Sequence, residues 1–123
     1  MDNGGKESRE QAVLIVEDDW LIAMDLVDEV EAAGYRVIGP AHRVSNALPL
    51  VGNADVAILD VNLKNETSYP VAEALAELGI PFVFLTGYEH DQLVPEFRNA
   101  PLLNKPLQLH EFRSTLRRIM PAT

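Results

Sequence analysis

The run Val56-Ala57-Ile58-Leu59, followed directly by Asp60, constrains this chain more than any other stretch. A short, unbroken apolar segment suits a strand buried on both faces, as in a parallel sheet; a half-exposed strand would alternate. An acid at the carboxyl end of such a strand lies at the edge where open α/β sheets bind their ligands. Taken alone, Asp60 is equally a turn residue. The other segments decide between these readings.

Ala12 to Val16 is a second apolar run that also ends on acid, at Glu17, Asp18 and Asp19. Trp20 to Ala33 has helical periodicity, with Ile22, Leu26, Val30 and Ala33 on one stripe. Asp18 or Asp19 can cap its start, and Gly34 stops it. Tyr35 to Ile38 predicts a strand closed by Gly39-Pro40, and Val44 to Val51 a short helix disturbed by Pro49. Beyond Asp60, Lys64 to Ser68 reads as a loop. Ser68 is the expected N-cap of a helix from Tyr69 to Leu78, which Gly79 ends. Pro81 to Leu85 predicts a strand ending on Thr86-Gly87-Tyr88. A weak helix interrupted by Pro95 is expected over Glu89 to Phe97, then a short fifth strand at Leu102-Leu103 before Asn104-Lys105-Pro106. An amphipathic helix near Gln108 to Met120 closes the chain, its stripe formed by Leu109, Phe112, Leu116 and Ile119 or Met120.

This alternation predicts an α/β fold: a five-stranded parallel sheet with helices on both faces and right-handed crossovers. At 123 residues the chain makes one domain, expected over 12–121, after a polar tail at 1–11 expected to be disordered; no output domain is expected. With no cysteine, disulfides and thiolate metal sites are excluded. A net charge of −9 disfavours nucleic acid and anionic membrane surfaces as partners. No apolar run approaches the ~18 residues that span a bilayer, and the first eleven residues lack a signal-peptide block. A cytoplasmic protein is the expectation.

Four of the five strands end in residues able to do polar chemistry: Glu17 and Asp18, then Asp60, then Thr86, then Lys105. A parallel sheet lines all these ends along one edge. Clustered carboxylates repel, each pair at ~4 Å by about 1 kcal/mol in water and several times more at protein-like dielectric. Such a cluster calls for a cation, and oxygen ligands select a hard one, with Mg²⁺ fitting best. A lysine and a hydroxyl facing that ion would bind an anion, which suits phosphoryl transfer with Asp60 as nucleophile. Gly87 leaves space beside the site for the phosphodonor.

At these residues the chain resembles the receiver domain of two-component response regulators, over about Ala12 to Met120. The resemblance is carried by Val13-Leu14-Ile15-Val16-Glu17-Asp18, Ala57-Ile58-Leu59-Asp60, Leu85-Thr86-Gly87 and Asn104-Lys105-Pro106, in the family's order. It implies a flavodoxin-like sheet of order 2-1-3-4-5 and Asp60 as phosphoacceptor. It also implies Glu17, Asp18, Asp60 and the Asn62 carbonyl around Mg²⁺, Thr86 and Lys105 as phosphoryl ligands, and a cis bond between Lys105 and Pro106. The partners implied are a sensor histidine kinase or histidine phosphotransferase and an unidentified downstream protein. The protein would catalyse nothing beyond its own phosphorylation and dephosphorylation, and would signal by phosphorylation-dependent protein contacts or act as a phosphate sink.

Pro81-Phe82-Val83-Phe84-Leu85-Thr86-Gly87-Tyr88 further resembles the single-domain receivers nicknamed FAT GUY for this stretch, with Leu85 in place of the nickname's Ala. Leu102 departs from the family: most receivers carry Tyr or Phe three residues before the Lys, and that ring swings inward when the Thr engages the phosphoryl group. The signal is therefore expected to travel through the Tyr88 to Phe97 segment instead.

Two other classes fit less well. A Mg²⁺ phosphohydrolase of the haloacid-dehalogenase type places its Asp-x-Asp nucleophile on the first strand and its acidic pair last, the reverse of the order here, and residue 62 is Asn. A nucleotide or flavin binder needs a first loop that attracts phosphate, which Glu17-Asp18-Asp19 would repel. Trp20 is expected to pack against its helix face, His42, His90 and His110 to be solvated, and Arg113, Arg117 and Arg118 to form a solvated face.

Overall fold

The continuous apolar runs become the centre of a parallel sheet. In the computed structural model, residues 10–87 and 93–122 are described. The strands are β1 (Ala12–Val16), β2 (Arg36–Ala41), β3 (Val56–Asp60), β4 (Phe82–Thr86) and β5 (Leu102–Asn104). The helices are α1 (Trp20–Ala32), α2 (Val44–Ala47), α3 (Tyr69–Glu77) and α4 (Leu109–Ile119). The sheet order is β2-β1-β3-β4-β5 with every pairing parallel, which is the expected 2-1-3-4-5.

Every residue of β1 is buried, and so is every residue of β3, because successive side chains feed opposite cores. Leu14, Ala57, Leu59 and Phe84 pack with Val71, Ala72 and Leu75 of α3, whereas Val13, Ile15, Ile58 and Val83 pack with Leu26 and Val30 of α1 and Phe112 and Leu116 of α4. Asp55 sets the register at the start: its Oδ2 accepts the Ala12 N–H at 2.7 Å, and its own N–H donates to the Ala12 carbonyl at 2.8 Å.

Several local expectations are corrected. β2 does not stop at Gly39-Pro40 but runs through that cis bond to Ala41, with a break in register opposite Leu14 to Val16. The helix expected to reach Val51 is one turn of α-helix that tightens into a 3₁₀ segment, Leu48–Asn53, where Pro49 sits in the first turn and no longer opposes a helical hydrogen bond. Ser68 stands at the N-cap position of α3 but makes no capping bond; it is fully buried, and its Oγ faces the Val61 carbonyl at 3.5 Å. Ala23 joins Leu26 and Val30 in the fully buried stripe of α1, Ile22 packs half-buried against the same core, and Ala33 is exposed. On α4, Thr115 joins Phe112 and Leu116, while Leu109 is 49% exposed. The helix expected over Glu89 to Phe97 falls partly on residues outside those described; within them, Pro95–Phe97 forms a 3₁₀ turn. The tail at 1–11 also lies mostly outside them.

Candidate functional site

Register delivers the functional side chains to one sheet edge. Pairing of Val16 with Leu59, Asp60 with Leu85 and Thr86 with Asn104 aligns the carboxyl ends of β1, β3, β4 and β5. The Val61 N–H continues the ladder to the Leu85 carbonyl at 2.9 Å, and the Lys105 N–H continues it to the Thr86 carbonyl at 2.9 Å. Glu17, Asp60 and Thr86 are all buried there.

Carboxylate oxygens of Glu17, Asp18 and Asp60 all lie within 4.8 Å of one another. Lys105 closes the group from β5, with Nζ donating to Asp60 Oδ2 at 3.0 Å and lying 3.1 Å from Glu17 Oε1. Asp60 Oδ1 accepts the Asn62 N–H at 3.3 Å, and Glu17 Oε2 accepts the Asp19 N–H at 3.0 Å. Asp19, rather than Asp18, caps α1: its Oδ1 accepts from the Leu21 and Ile22 N–H groups. Asp18 is thereby left to turn toward the cluster.

One ammonium does not balance this much negative charge. Burial above all, with the Asp60 charge adding to it, pushes the Glu17 carboxyl from 4.5 up to about 7, against the downward pull of the Asp19 N–H and of Lys105. Burial by itself would lower the Lys105 pKa, but the hydrogen bond to Asp60 and the charges of both acids outweigh it and the pKa is raised. Glu17 Oε1 is buried and accepts no hydrogen bond of good geometry. An all-oxygen donor set with more negative charge than one ammonium offsets fits a small hard dication, Mg²⁺ above softer ions.

Asn62 begins a small hairpin with Thr67, Leu63 pairing with Glu66, and Glu66 Oε2 accepts the Val44 N–H at 2.9 Å, so the segment after Asp60 is tied to the start of α2. Among the described residues, a Cβ at Gly87 would meet nothing within 4 Å, so none of them fills the space beside Thr86. The bond between Lys105 and Pro106 is cis, as the resemblance implied. Trp20 is not packed: it is 65% exposed, next to Leu21 at 70%. A groove of about 490 Å³ runs between α1 and the residues after β5, lined by Ile22, Asp25, Lys105, Pro106 and Leu109 among others. Arg113 stays exposed, as expected, and from that face pairs with Glu29 of α1 at 2.9 Å. His42 is exposed, as expected, and in addition has Nδ1 at 2.8 Å from the Glu17 carbonyl oxygen; no spacing in the sequence pointed to that contact.

No protein-family model matches the chain. The solution structure of SdrG from Sphingomonas melonis Fr1 is similar at 43% identity and a TM-score of 0.78, covering 91% of this chain and 97% of that one. Among curated proteins, the transcriptional regulatory protein PdtaR of Mycobacterium tuberculosis is 34% identical over 91 residues, 72% of this chain and 44% of that protein. The phyllosphere-induced regulator PhyR of Methylorubrum extorquens is 34% identical over 103 residues, 78% of this chain and 38% of that protein. The chain thus spans less than half the length of these curated relatives.

Proposed function

The chain belongs to the response regulator receiver family, and on that premise we propose that it is a response regulator receiver whose Asp60 accepts a phosphoryl group from a kinase phosphohistidine. The observation that carries this is the convergence of three carboxylates and Lys105 at one sheet edge, with Asp60 Oδ2 held 3.0 Å from the ammonium. Asp18, Asp60, the Asn62 carbonyl and Glu17 are the residues that would hold Mg²⁺. When bound, the ion supplies charge neutralisation for the transferring group.

The chain's own residues supply the rest. Asp60 is the nucleophile: one carboxylate oxygen bonds to phosphorus while the bond from phosphorus to the donor nitrogen breaks, and the imidazole leaves with that electron pair. The Asn62 N–H orients the Asp60 carboxylate from the other side. Lys105 is placed to move its hydrogen bond from the Asp60 carboxylate to a phosphoryl oxygen, and the raised pKa keeps it charged for that role. Thr86 offers a hydroxyl to a second oxygen. Among the described residues nothing fills the space at Gly87, where the donor would enter, and the exposed Trp20 and Leu21 at the start of α1 offer an apolar footing for a kinase or phosphotransferase helix.

Phosphorylation would shift a conformational population that a downstream protein reads, through new charge-assisted bonds to Thr86 and Lys105. With Leu102 in place of an aromatic ring, the shift would pass through the segment after Gly87. Incubation with acetyl phosphate and Mg²⁺, read by intact mass, is expected to add one phosphoryl group to the wild type and none to Asp60→Asn. Unmodified wild type, or a modified Asp60→Asn, overturns the assignment. Sustained turnover of free phosphomonoesters would mark a hydrolase instead.

A further inference from the structure

β2 departs from regular pairing at its carboxyl end, and the residues just past the irregularity meet the acidic cluster. Gly39 has φ +94, and a Cβ there would stand 2.7 Å from the Ala41 nitrogen and 3.1 Å from the Ile15 carbonyl oxygen, so glycine alone fits. Irregularities of this kind beside a functional site re-aim the residues that come next. Here both Ala41 and His42 reach the Glu17 backbone. The Ala41 carbonyl accepts the Glu17 N–H at 3.0 Å, and His42 Nδ1 lies 2.8 Å from the Glu17 carbonyl oxygen. A carbonyl oxygen only accepts, so Nδ1 carries the proton and donates.

That carbonyl belongs to the peptide joining Glu17 to Asp18, the link that sets how the two acids face each other. The far side of the link is already fixed, because the Asp19 N–H bonds Glu17 Oε2 and the Asp19 side chain caps α1. We propose that His42 is a positioning residue for the divalent-cation site: by holding the Glu17 carbonyl it fixes the peptide plane from which the Asp18 carboxylate projects toward Glu17 and Asp60. Groups outside the ligand set that orient the ligands commonly govern metal affinity. The inference rests on the proposed cation site, and its test separates the two.

Mn²⁺ alone is titrated into the full chain and followed by water-proton relaxation. His42→Ala is expected to weaken binding about fivefold, the loss of one net hydrogen bond of preorganisation. His42→Asn, whose amide nitrogen lies near the position of Nδ1, is expected to stay within about twofold of wild type. In metal-free His42→Ala the Asp18 amide resonance should move while those of Val13 to Ile15 hold, which shows that the sheet remains folded. Unchanged Mn²⁺ affinity in His42→Ala, or a His42→Asn as weak as the alanine variant, overturns the positioning role. Asp18→Asn is the control. If it binds Mn²⁺ like wild type, the cation site itself is misassigned; if it loses binding while His42→Ala does not, only the role of His42 falls.

Discussion

At Glu17 a proton would compete with the proposed cation. Folded, its carboxyl keeps a proton up to about pH 7; unfolded, it releases it near 4.5. Between those values the native state holds the extra proton, so the metal-free protein loses stability as pH rises through this window. Urea midpoints in chelator should accordingly be higher at pH 5.5 than at pH 8 as far as Glu17 governs them. Cation binding has the opposite dependence, because the ligand must be ionised. Mg²⁺ affinity should fall toward about tenfold per unit as pH drops below 7, and calorimetric titrations at pH 8 and pH 6 measure it. Equal affinities would remove Glu17 from the site. Lys105 carries the converse expectation: Lys105→Met leaves Asp60 and Glu17 without their cation and should cost about 2 kcal/mol in chelator, largely restored by Mg²⁺. Urea unfolding with and without Mg²⁺ checks that, and a loss that Mg²⁺ does not restore would argue against a shared cation site.

At the scale of elements, legibility in the sequence depends on how each segment is stabilised. β1, β3 and β4 are readable because four or five apolar residues in a row have no other sensible home than a doubly covered sheet. Their terminal Glu17, Asp60 and Thr86 are readable with them, since register follows the strand. Side-chain contacts that depend on tertiary context are not. Trp20 and Leu109 have the spacing of core residues, yet they sit at helix starts beyond the sheet's cover and stay exposed. Ser68 has capping chemistry, but the Val61 carbonyl faces its hydroxyl. Gly39-Pro40 reads as a terminator, whereas a register break lets the pair continue inside β2. That break explains one sharp expectation: Gly39→Ala meets both a positive φ and backbone at 2.7 Å and should destabilise by about 2 kcal/mol or more. Thermal unfolding decides it, and a neutral substitution would contradict the contact. The aromatic group of Tyr69, Phe82, Phe84 and Phe97 suggests where a signal leaves the site, because the Tyr69 ring stacks on Phe97 at 5.7 Å and meets Phe84 edge-on at 5.9 Å. Backbone shifts on adding BeF₃⁻ should then concentrate at Val94, Phe97 and Ala100. Changes centred on Leu102 and Leu103 would restore the usual route through β5.

For the molecule as a whole, one topology explains both stability and chemistry. Helices on both faces leave the sheet's carboxyl edge as the place where residues as distant as Glu17 and Lys105 meet, buried enough to sharpen their electrostatics. Among the described residues no helix is long and apolar enough to cross a membrane. The net charge of −9 disfavours polyanionic partners. On the proposed function Asp60, and no other carboxylate of the cluster, forms the acyl phosphate. Borohydride reduction of the acetyl-phosphate-treated protein, followed by peptide mass mapping, tests it directly. Homoserine at position 60 alone is the expected result; conversion at Glu17 or Asp18, or at none of the three, would contradict it.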